Sequence, residues 1–144
     1  MANEKSYDPQ MHTAEHILNQ TMVRSFGCGR SFSNHIERKK SKCDYHIDRP
    51  LADDEVDFVS AEVNRIINED LEVSDSYLTR EEAAQILDLS RLPEDAGDEI
   101  RVVRVGNYDA CACIGPHVSR TSEIGTFIII STDYADGVLR IRFK

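Results

Sequence analysis

The sequence predicts an α+β fold, a largely antiparallel sheet with helices packed against it. Two observations carry this. Apolar residues at helical spacing follow cap signals at 8–25 and again from 53 to about 70. Leu139, Ile141 and Phe143 alternate with Arg140 and Arg142 just after a two-residue turn, Asp136-Gly137, as in a hairpin with one buried face. A chain of 144 residues can bury a real core, and no repeat, low-complexity tract or linker divides it, so residues 1–144 are expected to form one domain.

Asp8-Pro9 reads as N-cap and first helical residue, and the helix should run to about Ser25, where Gly27-Cys28-Gly29 stops it. Ala14, Leu18 and Met22, with Ile17 beside them, give it an apolar stripe. Residues 31–38 and 42–48 read as a strand pair around a Lys39-Lys40-Ser41 turn, ended by Pro50. Asp53-Asp54-Glu55 sets acids in a first turn, where the helix dipole favours them. Val56, Val59, Val63, Ile66 and Ile67 stripe that helix to Asn68–Asp70. A strand is expected at 71–78, then a short helix from the Thr79/Glu82 capping box to about Leu87. Pro93 and Gly97 mark a loop, Ile100–Val105 a strand, and Tyr108–His117 a loop or short strand. Residues 126–132 and 138–143 close the chain as a hairpin.

The net charge of −9 argues at first against a nucleic-acid partner, but it is unevenly spread. Residues 24–49 hold seven Lys/Arg against three Asp/Glu, and residues 52–99 three against sixteen. The basic segment is either a solvated loop or a phosphate contact through Arg38, Lys39, Lys40 and Lys42. Residues 1–10 are polar, so no signal peptide is expected, and no run approaches the ~20 apolar residues of a membrane span. The four cysteines are not spaced as a disulfide framework, and a cytoplasmic location follows from that.

The chemistry lies in two local pairs. His12 and His16 stand one helical turn apart, and Cys113 and His117 follow a hundred residues later. Two imidazoles plus a thiolate and a third imidazole match the number and kind of ligands that tetrahedral zinc takes. A catalytic zinc keeps a position open, so four protein ligands would require one loosely held ligand or an expanded coordination shell. Glu15 shares the helix face with His12 and His16 and completes H-x-x-E-H, the pattern of inverted zinc peptidases, in which the glutamate is the acid/base. That reading leaves Cys113 and His117 unused. Asp109 either orients a ligand from behind or caps a turn; metal-bound imidazoles usually have such a partner. Cys111 and Cys28 read as a packed residue and a loop residue, Cys43 as half-buried, and His35 and His46 as surface histidines. Thr121 and Ser122 suit a ribose contact or a turn.

His12-Thr13-Ala14-Glu15-His16-Ile17-Leu18, Val105-Gly106-Asn107-Tyr108-Asp109, Cys113-Ile114-Gly115-Pro116-His117-Val118 and Thr121-Ser122-Glu123-Ile124-Gly125 together resemble the editing domain shared by alanyl- and threonyl-tRNA synthetases. The chain looks most like the free-standing alanyl-tRNA editing form of that family. Val63-Asn64-Arg65-Ile66 and Leu78-Thr79-Arg80-Glu81-Glu82-Ala83 extend the likeness over most of the length. The resemblance implies the editing-domain fold and zinc held by His12, His16, Cys113 and His117. It also implies hydrolysis of the ester that joins a wrong amino acid to the 3′-terminal ribose of a tRNA, with tRNA-Ala carrying serine or glycine the expected substrate. Glu15 is then a general base or a contact for the substrate amine, beside His12 and His16, and the basic strand pair meets the acceptor end. Two further readings stay open: a non-catalytic zinc domain, and a small zinc hydrolase with another substrate. The Gly115-Pro116-His117 ending matches the threonyl branch, where the alanyl branch usually reads Cys-Gly-Gly-Thr-His. Glu15 stands where the alanyl branch often has threonine, and Ile114 in place of glycine is expected to crowd the pocket or block a backbone contact.

Overall fold

The computed structural model describes residues 8–38, 40–87 and 99–144. Three helices and seven strands are described, in the order α1 (Pro9–Phe26), β1 (Ser33–His35), β2 (Ser41–His46), α2 (Asp53–Asn68), β3 (Val73–Thr79), α3 (Arg80–Ala84), β4 (Glu99–Val105), β5 (Asp109–Ala112), a 3₁₀ turn (Thr121–Ile124), β6 (Ile129–Ala135) and β7 (Val138–Phe143). The fold is α+β, and every described strand pairing is antiparallel. The strands divide into two sheets rather than one, ordered β1-β2-β7-β6 and β3-β4-β5.

Helix α1 starts as its sequence dictates. The Asp8 carboxylate accepts the Met11 N–H at 3.1 Å, and Gly27 ends the helix at φ 69°, a left-handed conformation that glycine adopts without penalty. Its Ala14, Ile17, Leu18 and Met22 are fully buried. They meet Val59, Val63, Ile66 and Ile67 of α2 and the inward residues Cys43, Tyr45, Leu139, Ile141 and Phe143 of the four-stranded sheet. Cys43 is thus wholly buried, not half-buried. A second apolar cluster, Ala83, Ile100 and Val102, packs α3 against the three-stranded sheet.

Several boundaries differ from expectation, each for a local reason. Strand β1 is short and Ser41 belongs to β2: the Ser41 hydroxyl donates to the Glu37 carbonyl and accepts its N–H, closing the hairpin early. Lys39 lies outside the described residues, as does the loop expected around Pro93 and Gly97. Helix α3 has its capping box, with Thr79 and Glu82 bonded reciprocally at 2.9 and 3.0 Å, but ends at Ala84 as the chain tightens into i→i+3 bonds. Strand β6 begins at Ile129, not 126, because the Phe127 backbone is taken by α2. There Asn64 accepts the Phe127 N–H at 2.8 Å and donates to its carbonyl at 2.9 Å.

Candidate metal centre

The residues that form the site converge from two elements. Helix α1 carries His12 and His16 on the face turned to β5, and the loop after β5 carries Cys113 and His117. Two devices fix that loop. The Thr13 hydroxyl donates to the Pro9 carbonyl and accepts the Val118 N–H at 3.1 Å, tying the loop's end to α1. The Arg101 guanidinium on β4 donates to the Gly115 and Cys113 carbonyls at 2.9 and 3.3 Å, holding the stretch between Cys113 and His117.

The four side chains share one cluster: one ligand atom from each of His12, His16, Cys113 and His117 lies within 4.8 Å of all the others. Cys113 Sγ is 3.2 Å from His12 Nε2, and His117 Nε2 is 3.0 Å from His16 Nε2. The edge of a tetrahedron built on zinc–nitrogen bonds is about 3.3 Å, so these spacings suit a small tetrahedral cation. The ring nitrogens are also turned correctly. A carbonyl can only accept, so His12 Nδ1 donates to Pro116 O at 3.1 Å, and Nε2 keeps its lone pair for the cluster. His16 Nδ1 faces Asp109 Oδ2 at 3.4 Å, just beyond a well-formed hydrogen bond, and is otherwise unpartnered. His117 Nδ1 is buried without a hydrogen-bond partner.

Electrostatics reinforce the geometry. Burial pushes the Cys113 thiol up, but the His117, His12 and His16 rings set against the sulfur outweigh it and bring the group down to about 3, which favours the thiolate. Burial alone would lower His16; the Asp109 carboxylate and Cys113 overcome that and raise it well above 6.5. Burial lowers His117, and its hydrogen bond to the Cys113 sulfur only partly offsets this. Burial would raise Asp109, yet the neighbouring His16 ring and the charge of Arg30 hold it at about 2. A thiolate amid three imidazoles, two of them fully buried, is a donor set that fits a metal such as zinc.

Glu15 lies at the edge of this cluster, 8 % exposed. Asn19 and Asn34 both donate to its Oε2, at 2.8 and 3.2 Å, while Oε1 stands 3.8 Å from His12 Nε2. Asn19 is itself held by the Tyr45 hydroxyl and the Ser31 N–H. Ile114 is 74 % exposed and lines a shallow cleft with Tyr77, Arg101 and Pro116, none of which belongs to the cluster. Cys111 is half-buried and is not one of the four clustered residues. Thr121 is buried, bonded to the carbonyls of Ile66 and Ile67 and the N–H of Leu71, so it has a structural role and no ribose contact.

The basic residues are not drawn into the cluster. Arg38 and Lys40 are exposed on the β1–β2 hairpin and Lys42 is half-buried on β2, while Asn34 of β1 links that hairpin to Glu15. Three other cations of the same segment serve internal contacts: Arg24 donates to the Tyr108 carbonyl, Arg30 to Asp109 and Arg49 to Glu55. The partners Thr13, Gln20 and Arg30 were not singled out by sequence. Gln20 stands one helical turn after His16, which is the one local signal that could have found it.

Residues 100–142 match the family described as the threonyl and alanyl tRNA synthetase second additional domain. An alanine–tRNA ligase of Gluconobacter oxydans is 35% identical over 145 aligned residues, covering 90% of this chain and 16% of the ligase. That of Alkaliphilus metalliredigens is 34% identical, covering 90% of this chain and 15% of the ligase. That of Methanothrix thermoacetophila is 34% identical, covering 92% and 15%. The chain therefore spans about a sixth of the length of the ligases it matches. No helix among the described residues is long and apolar enough to cross a membrane.

Proposed function

We infer that this chain, which belongs to the editing-domain family of alanyl- and threonyl-tRNA synthetases, hydrolyses the ester of a wrongly charged aminoacyl-tRNA. The substrate we propose is tRNA-Ala carrying serine or glycine, met in the cytoplasm. The observation that carries this reading is the four-residue cluster with a carboxylate, Glu15, fixed at its edge.

His12, His16, Cys113 and His117 would hold a zinc ion. When bound, zinc supplies Lewis acidity that favours negative charge on an ester carbonyl oxygen and makes nearby water a better nucleophile at neutral pH. An aminoacyl ester is already activated, so orientation and charge complementarity suffice for much of the rest. Glu15 offers its Oε1 to the α-ammonium of the substrate, its orientation fixed by the two amide donors on Oε2. Arg38, Lys40 and Lys42, with Lys39 between them, contact phosphates of the acceptor strand through the hairpin that Asn34 joins to Glu15.

The test is a side-by-side deacylation of Ser-tRNA(Ala), Gly-tRNA(Ala) and Ser-tRNA(Thr) by the zinc-loaded chain. Turnover of at least one of the two tRNA-Ala species is expected. Turnover of Ser-tRNA(Thr) alone would transfer the activity to the threonyl branch, whose Gly-Pro-His ending this chain shares. No turnover of any of the three, with metal bound, would sink the reading.

A further inference from the structure

We propose that Arg30 is a positioning residue for the metal site: it fixes the Asp109 carboxylate, which in turn sets the His16 ring, so affinity for the cation depends on a side chain outside the ligand set. This rests on the reading that the cluster holds a metal.

The geometry is specific. Asp109 is 4 % exposed, and a buried carboxylate is costly unless paired. Its pairing comes from an asymmetric set of donors. Arg30 Nη1 and Gln20 Nε2 both donate to Oδ1, at 2.7 and 2.9 Å. Arg30 Nη2 makes the longer bond to Oδ2, at 3.2 Å. Oδ2 is the oxygen that faces His16 Nδ1 at 3.4 Å, and that nitrogen has no hydrogen-bond partner among the described residues. The planar fork of a guanidinium locks the plane of a carboxylate in a way a single donor cannot. Gln20 adds a second anchor from the same helix as His16, one turn later. Without the fork the carboxylate can rotate about its own bond, and the Nδ1 edge of the His16 ring loses the oxygen it faces.

Arg30 reaches this position from the loop that follows the left-handed Gly27 cap of α1. That loop folds the chain back so that a residue C-terminal to the helix supports a ligand in the helix's middle.

The test measures uptake of cobalt(II) by absorption and zinc affinity by chelator competition. It uses the full chain and its variants Arg30→Gln, Arg30→Lys, Asp109→Asn and the double variant Arg30→Gln/Asp109→Asn. Loss of a residue that supports a metal ligand typically weakens binding about 10–100-fold. Asp109→Asn should fall in that range. Arg30→Gln should lose at least tenfold and alter the cobalt bands, and Arg30→Lys should lose less. The double variant should bind no more weakly than Asp109→Asn alone, because Arg30 acts through Asp109. Folded Arg30 variants with unchanged affinity and unchanged bands would overturn the proposal, whatever their melting temperature. So would an equal loss from Arg30→Gln in the Asp109→Asn background. If Arg30→Gln fails to fold, Arg30→Lys carries the same comparisons. A parent chain that takes up no metal overturns the reading beneath as well, and is told apart by needing no variant.

Discussion

Glu15 is the residue on which substrate selection turns in this account. Its carboxylate is nearly buried, oriented by Asn19 and Asn34, and stands beside a ligand ring. Glu15→Gln keeps the shape and removes the charge. A contact with the substrate's ammonium is a charge-assisted bond, and its loss should raise KM about 10–100-fold at nearly constant kcat, with metal uptake unchanged. A fall in kcat at constant KM would instead make Glu15 the general base. The clustered residues themselves were legible because each pair is local: a turn of helix sets His12 against His16, and a five-residue stretch of loop carries both Cys113 and His117. The partners Arg30, Asn34 and Thr13 were not, since nothing local distinguishes an arginine that folds back onto Asp109 from one facing solvent. The direction of the Ile114 side chain was not legible for the same reason: it depends on what holds the loop, here Arg101.

At the scale of elements, the two sheets differ in how they are joined. The three-stranded sheet is a meander of successive strands, whereas β2 must find β7 from the far end of the chain. Their register sets Asp44 opposite Arg140, whose guanidinium donates to both carboxylate oxygens at 2.8 and 3.0 Å. The bond from Arg140 holds Asp44 below its ordinary 3.8. A carboxyl lowered in the folded state stabilises fully above its unfolded value and loses that contribution as pH falls through the folded one. Because Arg140 is partly exposed, Asp44→Asn should cost about 1 kcal/mol at neutral pH. In urea melts the gap between variant and parent should close as pH drops below 3.8; a gap independent of pH would show that the charge is not what matters. Helix starts, stops and apolar stripes were readable because caps and periodicity are local signals. The division into two sheets was not, since pairing partners are chosen by tertiary packing, and the start of β6 was displaced by a single side chain, Asn64.

For the whole molecule, charge and fold have to be reconciled. A chain of net charge −9 that meets a tRNA must do so through few cations, and Arg24, Arg30 and Arg49 of the basic segment already serve the protein itself. On the proposed function, that leaves recognition to the site more than to the phosphate backbone. The two remote stretches of chain meet through α1, which is at once the centre of the main core and the carrier of two of the four clustered residues. A centre built on so buried a helix should leave most of the fold standing when the metal is withdrawn. The most direct measurement is therefore deacylation of Ser-tRNA(Ala) by the chain before chelation, after chelation and after restoring one equivalent of zinc, with circular dichroism recorded at each stage. We predict activity that disappears on stripping with the spectrum largely intact, and returns with zinc. Hydrolysis that persists in the stripped, folded chain would contradict the account.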